Sequence, residues 1–370
     1  MKVQFFYGYS ILVLGMAVLL VSCEAPTSRS QSFQSSSSPP GSPPSKAWVV
    51  DTLAGSTAGF AGGTGNSAQF YHPTGVAVDS DGNVYVVDRY NHRIRKITAG
   101  VVSTPAGSTA GFAEGTGAEA QFHYPVGVVL DSSGNVYVGD WGNHRIRKIT
   151  AGVVSTIAGT GVAGSANGDS LTEAQFHGPH GVAMDSSGNI YVADTGNHRI
   201  RKITADGEVS TIAGSTAGFA EGTGTEAQFH TPIGVAVDTD GNVYVADTHN
   251  HRIRKITADG EVSTIAGSGT ASFAEGIGTE AQFQYPHGVA LDSSGTVYVA
   301  DTHNHRIRKI TADGEVSTIA GSGTAGSANG NPLTEAQFNA PYTMAVDSAG
   351  TVYVAELNNH RIRKLEYRVP

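Results

Sequence analysis

Short hydrophobic runs, separated by polar turns, recur along the chain from residue 48 onward. One copy, which starts at residue 234, reads GVAVDTDG, NVYVADTHN, HRIRKITADG and EVSTIAGS, and Asp, Gly and Asn separate these runs at hairpin spacing. The pattern predicts four β-strands, which we name a, b, c and d. Strands a and b are apolar on both faces, as expected when a neighbouring sheet covers each side. No part of the repeat region has the period of a helix.

The four-stranded unit is repeated at a nearly constant interval. The tripeptide Asn-His-Arg occurs six times, with its histidine at His92, His144, His198, His251, His305 and His360. Successive histidines are therefore 52, 54, 53, 54 and 55 residues apart, and residues 247–268 are identical to residues 301–322. A fixed period of this length with four strands in each unit predicts an all-β, six-bladed β-propeller.

The two ends of the repeat region predict how the ring closes. The segment VVDTLAG at residues 49–55 matches EVSTIAG, which is a d strand, whereas residues 359–365 match a c strand that no d strand follows. The sixth blade should therefore combine strands a, b and c from the C-terminus with strand d from the N-terminus. Such a joint leaves no open sheet edge in the ring.

The N-terminal region has the features of an export signal. A basic start and an apolar run at residues 11–21 predict a signal peptide over residues 1–22, and a membrane-spanning helix is the alternative. The segment Leu20-Val21-Ser22-Cys23 contains the only cysteine of the chain and resembles the lipobox of bacterial lipoproteins. This resemblance implies lipidation of Cys23 and a location in the bacterial cell envelope. Residues 23–47 are rich in Ser and Pro and predict a disordered tether, which leaves residues 48–370 for the propeller.

The repeated tripeptide, followed by Ile-Arg-Lys, resembles the NHL repeat, and the resemblance covers residues 48–365. It implies a β-propeller, in agreement with the strand pattern. The functions of that family are diverse and include protein-binding ectodomains, RNA-binding modules and a metal-dependent amidating lyase. A fold shared this widely does not determine a function.

Charged residues that repeat in every blade are assigned to the scaffold. The Arg-Ile-Arg-Lys tetrads hold 18 of the 23 Lys and Arg residues, but the net charge of −9 and the export signal argue against a nucleic-acid partner. We expect strand c to face outward into solvent, with its long side chains covering apolar surface. We expect the Asp that precedes Asn-His-Arg to cap its own turn. Residues 79–83 should form a hairpin turn, because the spacing of a calcium loop is absent.

Positions that differ between blades predict the candidate site. The residue after the Pro that begins strand a is Thr74, Val126, His180, Ile233, His287 or Tyr342. The residues that follow strand b also vary, and read Arg89-Tyr90, Trp141-Gly142, Thr195-Gly196, Thr248-His249, Thr302-His303 and Leu357-Asn358. Both sets should surround the mouth of the channel on one face, and we expect ligand contacts at Arg89, Tyr90, Trp141, His180, His287 and Tyr342. Neutral variation of surface loops is the alternative.

Two classes of function remain open. The first is a monomeric binding protein without a cofactor, whose ligand is an extracytoplasmic peptide, glycan or protein. Trp141 would be its aromatic anchor, and Arg89 would suit a carboxylate on the ligand. The binding protein is favoured over the second class and over a purely structural role in the envelope.

The second class is a metal-dependent enzyme resembling the amidating lyase. That resemblance implies zinc-binding histidines after the Pro of strand a in alternating blades, which His180 and His287 match. Thr74 occupies the third such position, with His72 nearby. Two histidines fall short of the three protein ligands that a catalytic zinc site normally has.

Overall fold

The computed structural model describes residues 47–368. The predicted signal peptide (1–22), the lipidation site Cys23 and the predicted tether (23–47) lie outside the described residues, apart from Ala47, with which the first strand begins. The helices of the described part are nine single 3-10 turns of three residues each. None of them is long and apolar enough to cross a membrane.

The strands form six antiparallel sheets, and each sheet is one blade. We number the blades by the order of their a strands. Strand a spans Pro73–Val78, Pro125–Leu130, Pro179–Met184, Pro232–Val237, Pro286–Leu291 and Pro341–Val346. Strand b spans Val84–Asp88, Val136–Asp140, Ile190–Asp194, Val243–Asp247, Val297–Asp301 and Val352–Glu356.

The outer strands complete each blade. Strand c spans Arg93–Thr98, Arg145–Thr150, Arg199–Ile203, Arg252–Ile256, Arg306–Ile310 and Arg361–Arg368. Strand d spans Val101–Gly107, Val153–Ala158, Glu208–Ala213, Glu261–Ala266, Glu315–Ala320 and, for the sixth blade, Ala47–Gly55. Blades 1 to 5 add a two-residue strand beyond strand d, which the sequence did not predict, at Gly63–Thr64, Gly115–Thr116, Gly168–Asp169, Gly222–Thr223 and Gly276–Ile277.

The sixth blade closes the ring as predicted. Strand d from the N-terminus pairs antiparallel with strand c from the C-terminus, in a register that places Val50 opposite Leu365. The pairing extends two residues beyond the predicted segment, because Ala47 and Trp48 also face the last residues of strand c. The ends of the described chain therefore supply the same hydrogen bonds that hairpins supply in the other blades.

The hydrophobic cores lie between blades. Six clusters of buried residues each combine side chains of two neighbouring blades. The cluster at the joint places Phe70 and Val86 of blade 1 against Tyr353 and Ile362 of blade 6. An equivalent Phe is fully buried in all six blades, and truncating such a side chain to Ala typically costs about 3–5 kcal/mol.

The prediction for strand c is wrong for its second arginine. Arg95 is buried, and its guanidinium forms an ion pair with Asp88 of strand b at 2.7 Å. It also donates to the carbonyl oxygens of Gln69 and Ala61. The same buried pair occurs in every blade at 2.5–3.0 Å, as Arg95–Asp88, Arg147–Asp140, Arg201–Asp194, Arg254–Asp247, Arg308–Asp301 and Arg363–Glu356. One of the three cations in each tetrad is therefore buried in an ion pair within its blade, where an external phosphate cannot reach it.

The acidic partner of this pair connects three segments rather than capping the backbone of its own turn. Asp88 makes no side-chain cap of the 3-10 turn that follows it. Its carboxylate accepts from the backbone N–H of Tyr71 at 2.7 Å and from the side chain of Asn91 at 2.9 Å. Burial raises the pKa of Asp88, and these hydrogen bonds and the charge of Arg95 act against that shift. Asp88 thus connects three parts of its blade: the segment that leads into strand a, the turn after strand b, and strand c.

The a strands surround the axis and leave only a narrow channel. A glycine follows the first two residues of strand a in five blades, and a Cβ atom on Gly127 would collide with the carbonyl oxygen of His180. Blade 6 has Thr343 there instead, and its hydroxyl donates to the carbonyl oxygen of Thr74. The cavity at this constriction measures about 60 Å³. On the opposite face, residues 79–83 form the predicted hairpin turn, in which Asp79 accepts from the backbone of Asp81 and Asn83.

Candidate ligand-binding site at the channel mouth

One face of the propeller is built from the turns after strand b and the segments that lead into strand a. The two sets of loops are joined in each blade, as where the backbone N–H of Tyr90 donates to the carbonyl oxygen of Tyr71 at 3.1 Å. All fourteen histidines of the chain belong to these turns, to the segments that lead into strand a or to the first residues of strand a. Both variable sets named from the sequence belong to these loops or to the first residues of strand a.

The histidine of each Asn-His-Arg tripeptide has a structural role. It adopts the left-handed conformation, with φ of 55° at His92, and in blades 1 to 5 it ends the 3-10 turn. Its Nδ1 accepts from a backbone N–H of the next blade, at 3.1 Å for Tyr124 on His92 and, across the closing joint, at 3.2 Å for His72 on His360. An accepting Nδ1 leaves the proton on Nε2 of a neutral ring. Burial is the main cause that lowers the pKa of His92 and His360, in keeping with the neutral form.

Six side chains close the channel where the a strands begin, and we call them the inner ring: Thr74, Val126, His180, Ile233, His287 and Tyr342. Val126, Ile233 and Tyr342 belong to alternate blades and pack against one another, with Trp141 and Leu357 beside them. The hydroxyl of Thr74 donates to the carbonyl oxygen of Val126 at 3.1 Å. The inner ring therefore forms a floor beneath the mouth rather than an open pore.

Six further side chains directly follow strand b in the six blades, and we call them the outer ring: Arg89, Trp141, Thr195, Thr248, Thr302 and Leu357. The three threonines are buried, and each donates to the carbonyl oxygen of the Pro in the next blade, as Thr195 does to Pro232 at 2.6 Å. Arg89 and Trp141 replace threonine and make no such bond to the next blade. The Arg89 guanidinium instead lies 5.5 Å from the Trp141 ring centre and 5.7 Å from that of Tyr90.

Arg89 is the unpartnered cation of this site. Within residues 47–368 it enters no ion pair, and its side chain makes no hydrogen bond, with its Nε buried. Burial, and next the charge of Arg89, lower the pKa of His180 to about 3. Burial, followed by neighbouring histidines and Arg89, also lowers the pKa of His287 to about 3. Both histidines are thus uncharged at neutral pH.

The predicted site residues occupy one region but at two depths. The rings of Trp141 and His180 lie 6.2 Å apart, and those of His287 and Tyr342 lie 4.6 Å apart. Tyr90 is 40% exposed, whereas Tyr342 is 4% exposed and His180 is 7% exposed. Arg89, Tyr90 and Trp141 form the accessible part of the mouth, and the two histidines with Tyr342 form its floor.

These residues do not fit a three-ligand zinc site. Thr74 stands at the third position of alternating blades, and its hydroxyl is already used on the carbonyl oxygen of Val126. Across residues 47–368, no group of three or more His, Cys, Asp and Glu side chains is placed to hold a metal ion. The Nδ1 of His180 faces the carbonyl oxygen of Gly178 at 3.3 Å.

Sequence reasoning missed a pocket beside Trp141. A cavity of about 330 Å³ lies over blades 2 to 4 and is lined by Trp141, His144, His177, Gly178, His180, Thr195, Gly196, His198 and Thr231. A signal for it exists in the sequence. Gly142, Gly178 and Gly196 stand at positions where other blades carry Tyr or His. The residues predicted for the site are all large side chains at the mouth, whereas this pocket arises where blades 2 and 3 have glycine in place of such side chains.

The repeated segments of this chain are similar to a known protein family. Five stretches match the NHL repeat, at residues 70–97, 122–149, 176–203, 229–256 and 283–310. The chain carries NHL repeats. Each match begins at the buried Phe before strand a and reaches into strand c, so it contains the buried ion pair and the Asn-His-Arg turn.

Known proteins share the propeller over most of this chain. The NHL repeat-containing protein 2 of Bos taurus is 30% identical over 340 residues, which cover 80% of this chain and 46% of that protein. The chain thus spans less than half the length of this relative. A solved structural genomics protein of unknown function from Bacteroides thetaiotaomicron is 26% identical with a TM-score of 0.68, over 86% of this chain and 76% of its own. An auxiliary nutrient binding protein from the same organism is 17% identical with a TM-score of 0.66, over 87% and 77% of the two chains, and shares the fold.

Proposed function

We propose that this protein is a lipid-anchored binding protein of the bacterial cell envelope that holds a peptide, glycan or protein ligand at the channel mouth. The observation that carries the proposal is the outer ring. In three blades a threonine at this position donates a hydrogen bond to the next blade. Arg89 and Trp141 stand at the same position without that bond and place a cation and a large aromatic ring at the mouth. Such side chains at a concave surface are typical anchors for ligands.

The fold is compatible with this role. The solved propeller of similar shape from Bacteroides thetaiotaomicron is described as an auxiliary nutrient binding protein. In the present chain, the repeated Arg-Ile-Arg-Lys tetrads are not proposed to bind nucleic acid, because one arginine of each is buried in an ion pair and the net charge is −9. No cofactor is part of the proposal.

The envelope location rests on the N-terminal sequence. A basic start, an apolar run and a lone cysteine after Leu20-Val21-Ser22 support lipidation at Cys23. Cys23→Ala should abolish labelling by a fatty-acid probe and leave the precursor uncleaved, because the thiol is the point of attachment. A Cys23→Ala protein that still takes up the probe would show that the anchor is not at this residue.

The binding role is tested on glycan and peptide arrays with two consensus variants. Arg89→Thr and Trp141→Thr each install the residue of blades 3 to 5, so they remove the candidate anchor and restore a bond to Pro125 or Pro179. Trp141→Thr should weaken binding by about 2 kcal/mol or more, as expected for an anchor residue. The matched control is Ile277→Thr, which installs the residue of blades 1, 2 and 4 at a 60% exposed position away from the mouth. Equal array signals from the control and both mouth variants would refute the assignment.

A further inference from the structure

The pocket beside Trp141 lies at two junctions between blades, each of which lacks a pair of ring side chains that other junctions have. At the junction of blades 1 and 2, the rings of Tyr90 and Tyr124 lie 5.3 Å apart, and Tyr124 packs on His92 at 4.7 Å. At the junction of blades 4 and 5, His249 and Tyr285 fill the same space, 5.3 Å apart. The equivalent pairs are Gly142 with Gly178 at the junction of blades 2 and 3, and Gly196 with Thr231 at that of blades 3 and 4. Neither of these adjacent junctions contains the pair of rings, although the Trp141 indole borders Gly178 and the His177 ring borders Gly196. The cavity of about 330 Å³ lies over both junctions.

The walls of this cavity combine an aromatic surface with hydrogen-bonding groups of both kinds. Nδ1 of His144 accepts from the N–H of Gly178, and Nδ1 of His198 accepts from that of Thr231, each at 3.1 Å, so their Nε2 atoms carry the protons and can donate. Nδ1 of His180 faces a carbonyl oxygen, which can only accept, so its Nε2 is an acceptor. Trp141 supplies the largest apolar surface.

The lining of the cavity contains histidines but no carboxylate, ammonium or guanidinium group. Burial is the first cause that lowers the pKa of His144 and His198, and it lowers the pKa of His180 to about 3. An ionic ligand would gain no counter-charge from this lining, whereas a neutral ring with hydroxyl groups could both donate and accept.

We propose that the cavity over blades 2 to 4 binds one neutral pyranose unit of a glycan, with the sugar ring against Trp141 and its hydroxyls on His144, His180 and His198. A pyranose has apolar C–H groups on its faces and hydroxyls around its edge, which matches this distribution of aromatic and polar groups. A phenyl ring would leave the imidazoles without partners, and a buried polar group without a partner is costly. The assignment rests on the proposed binding function and specifies its ligand.

Intrinsic fluorescence of the full-length protein in detergent offers a direct test. The chain has two tryptophans, Trp48 and Trp141, so Trp48→Phe leaves Trp141 as the only reporter; Trp48 lies away from the mouth, against Tyr367. The probes are the methyl glycosides of glucose, galactose, mannose and N-acetylglucosamine, with N-acetyltyrosine amide as the aromatic comparison. At least one sugar should change the Trp141 emission in a saturable manner.

Thr231→Tyr is the variant that blocks the pocket. Thr231 has a φ of 56°, close to those of Tyr124 at 49° and Tyr285 at 48°, so the backbone accepts Tyr at this position. The new ring should pack on His198 as Tyr285 packs on His251, at 4.6 Å. We expect a loss of at least tenfold in sugar affinity without a lower melting temperature. Binding of the sugar at wild-type strength by Thr231→Tyr would overturn the pocket assignment.

The outcomes separate this inference from the proposed function. An array ligand that is lost in Trp141→Thr but retained in Thr231→Tyr would overturn the sugar pocket and leave the binding role of the mouth standing. Binding of N-acetyltyrosine amide and of no sugar would overturn the ligand class. If neither the arrays nor the glycosides give a signal, both proposals fail.

Discussion

Asp88 and Arg89 are adjacent in the chain and illustrate two different uses of one turn. The position of Asp88 carries an acid in all six blades, and that acid is buried against an arginine of strand c. The position of Arg89, at the channel mouth, is Thr in three blades and Arg, Trp or Leu in one blade each. Repetition at the first position reflects a packing requirement that every blade shares. Variation at the second position makes the outer ring asymmetric, as the proposed binding of a single ligand would require.

The largest effect should come from removing the strand that closes the scaffold. Deleting Ala47–Gly55 removes strand d of blade 6 and exposes the edge of strand c, with the core around Val50 and Ala54 opened. We expect loss of cooperative melting, or association of molecules through the open edges. Calorimetry and light scattering measure both results.

The matched control is a chain that lacks the segment before residue 47 but keeps the whole strand. It should melt as the full-length chain does. A monomer with an unchanged melting temperature after loss of Ala47–Gly55 would contradict closure of the ring by this strand.

The next-largest effect on the free energy of unfolding should come from Arg254, a buried arginine, and Arg89 serves as its comparison. Arg254→Ala leaves Asp247 buried without its ion pair, and the loss of one partner of such a pair typically costs about 3–5 kcal/mol. Arg89→Thr removes a cation that has no partner within residues 47–368 and should change stability by no more than about 0.5 kcal/mol. Denaturant unfolding of the two variants measures the difference. Equal losses would show that the repeated and varied positions do not differ in structural role.

The repeat period, the strand order and the closing joint could all be predicted, because they depend on local turn residues and on apolar runs. The burial of Arg95 could not be seen from the Arg-Ile-Arg-Lys pattern, since alternating charged residues are also typical of an exposed strand. A usable signal was its constant distance of seven residues from an acid, which blade 6 keeps by substituting Glu356 for Asp. The depth of His180 and Tyr342 depends on how six blades meet at the axis, which no single repeat encodes.

A smaller effect on stability should come from His180, which lies in the floor of the mouth. His180 has a pKa of about 3 in the folded protein, and an unfolded histidine has one of about 6.5. Below about pH 6.5 the unfolded state therefore binds a proton that the folded state does not, so this histidine lowers stability as the pH falls. At about pH 4.5 the contribution reaches about 3 kcal/mol, since one pKa unit corresponds to about 1.36 kcal/mol.

His180→Ile installs the residue of blade 4 and removes this contribution. Between about pH 7.5 and about pH 4.5 the variant should lose less stability than the wild type, by up to about 3 kcal/mol. Ile277→Thr should follow the wild-type profile. Parallel pH profiles for His180→Ile and the wild type would mean that His180 is protonated in the folded protein.

The most direct test of the difference between the repeated and the varied positions is the double variant Arg89→Thr, Trp141→Thr. It makes five positions of the outer ring Thr, the sixth being Leu357, and leaves every buried ion pair intact. Thermal melting and array binding are measured on the same sample. The protein should keep its melting temperature and lose the signals that the wild type gives. Retention of those signals, or unfolding of the variant, would contradict the separation of scaffold from binding site.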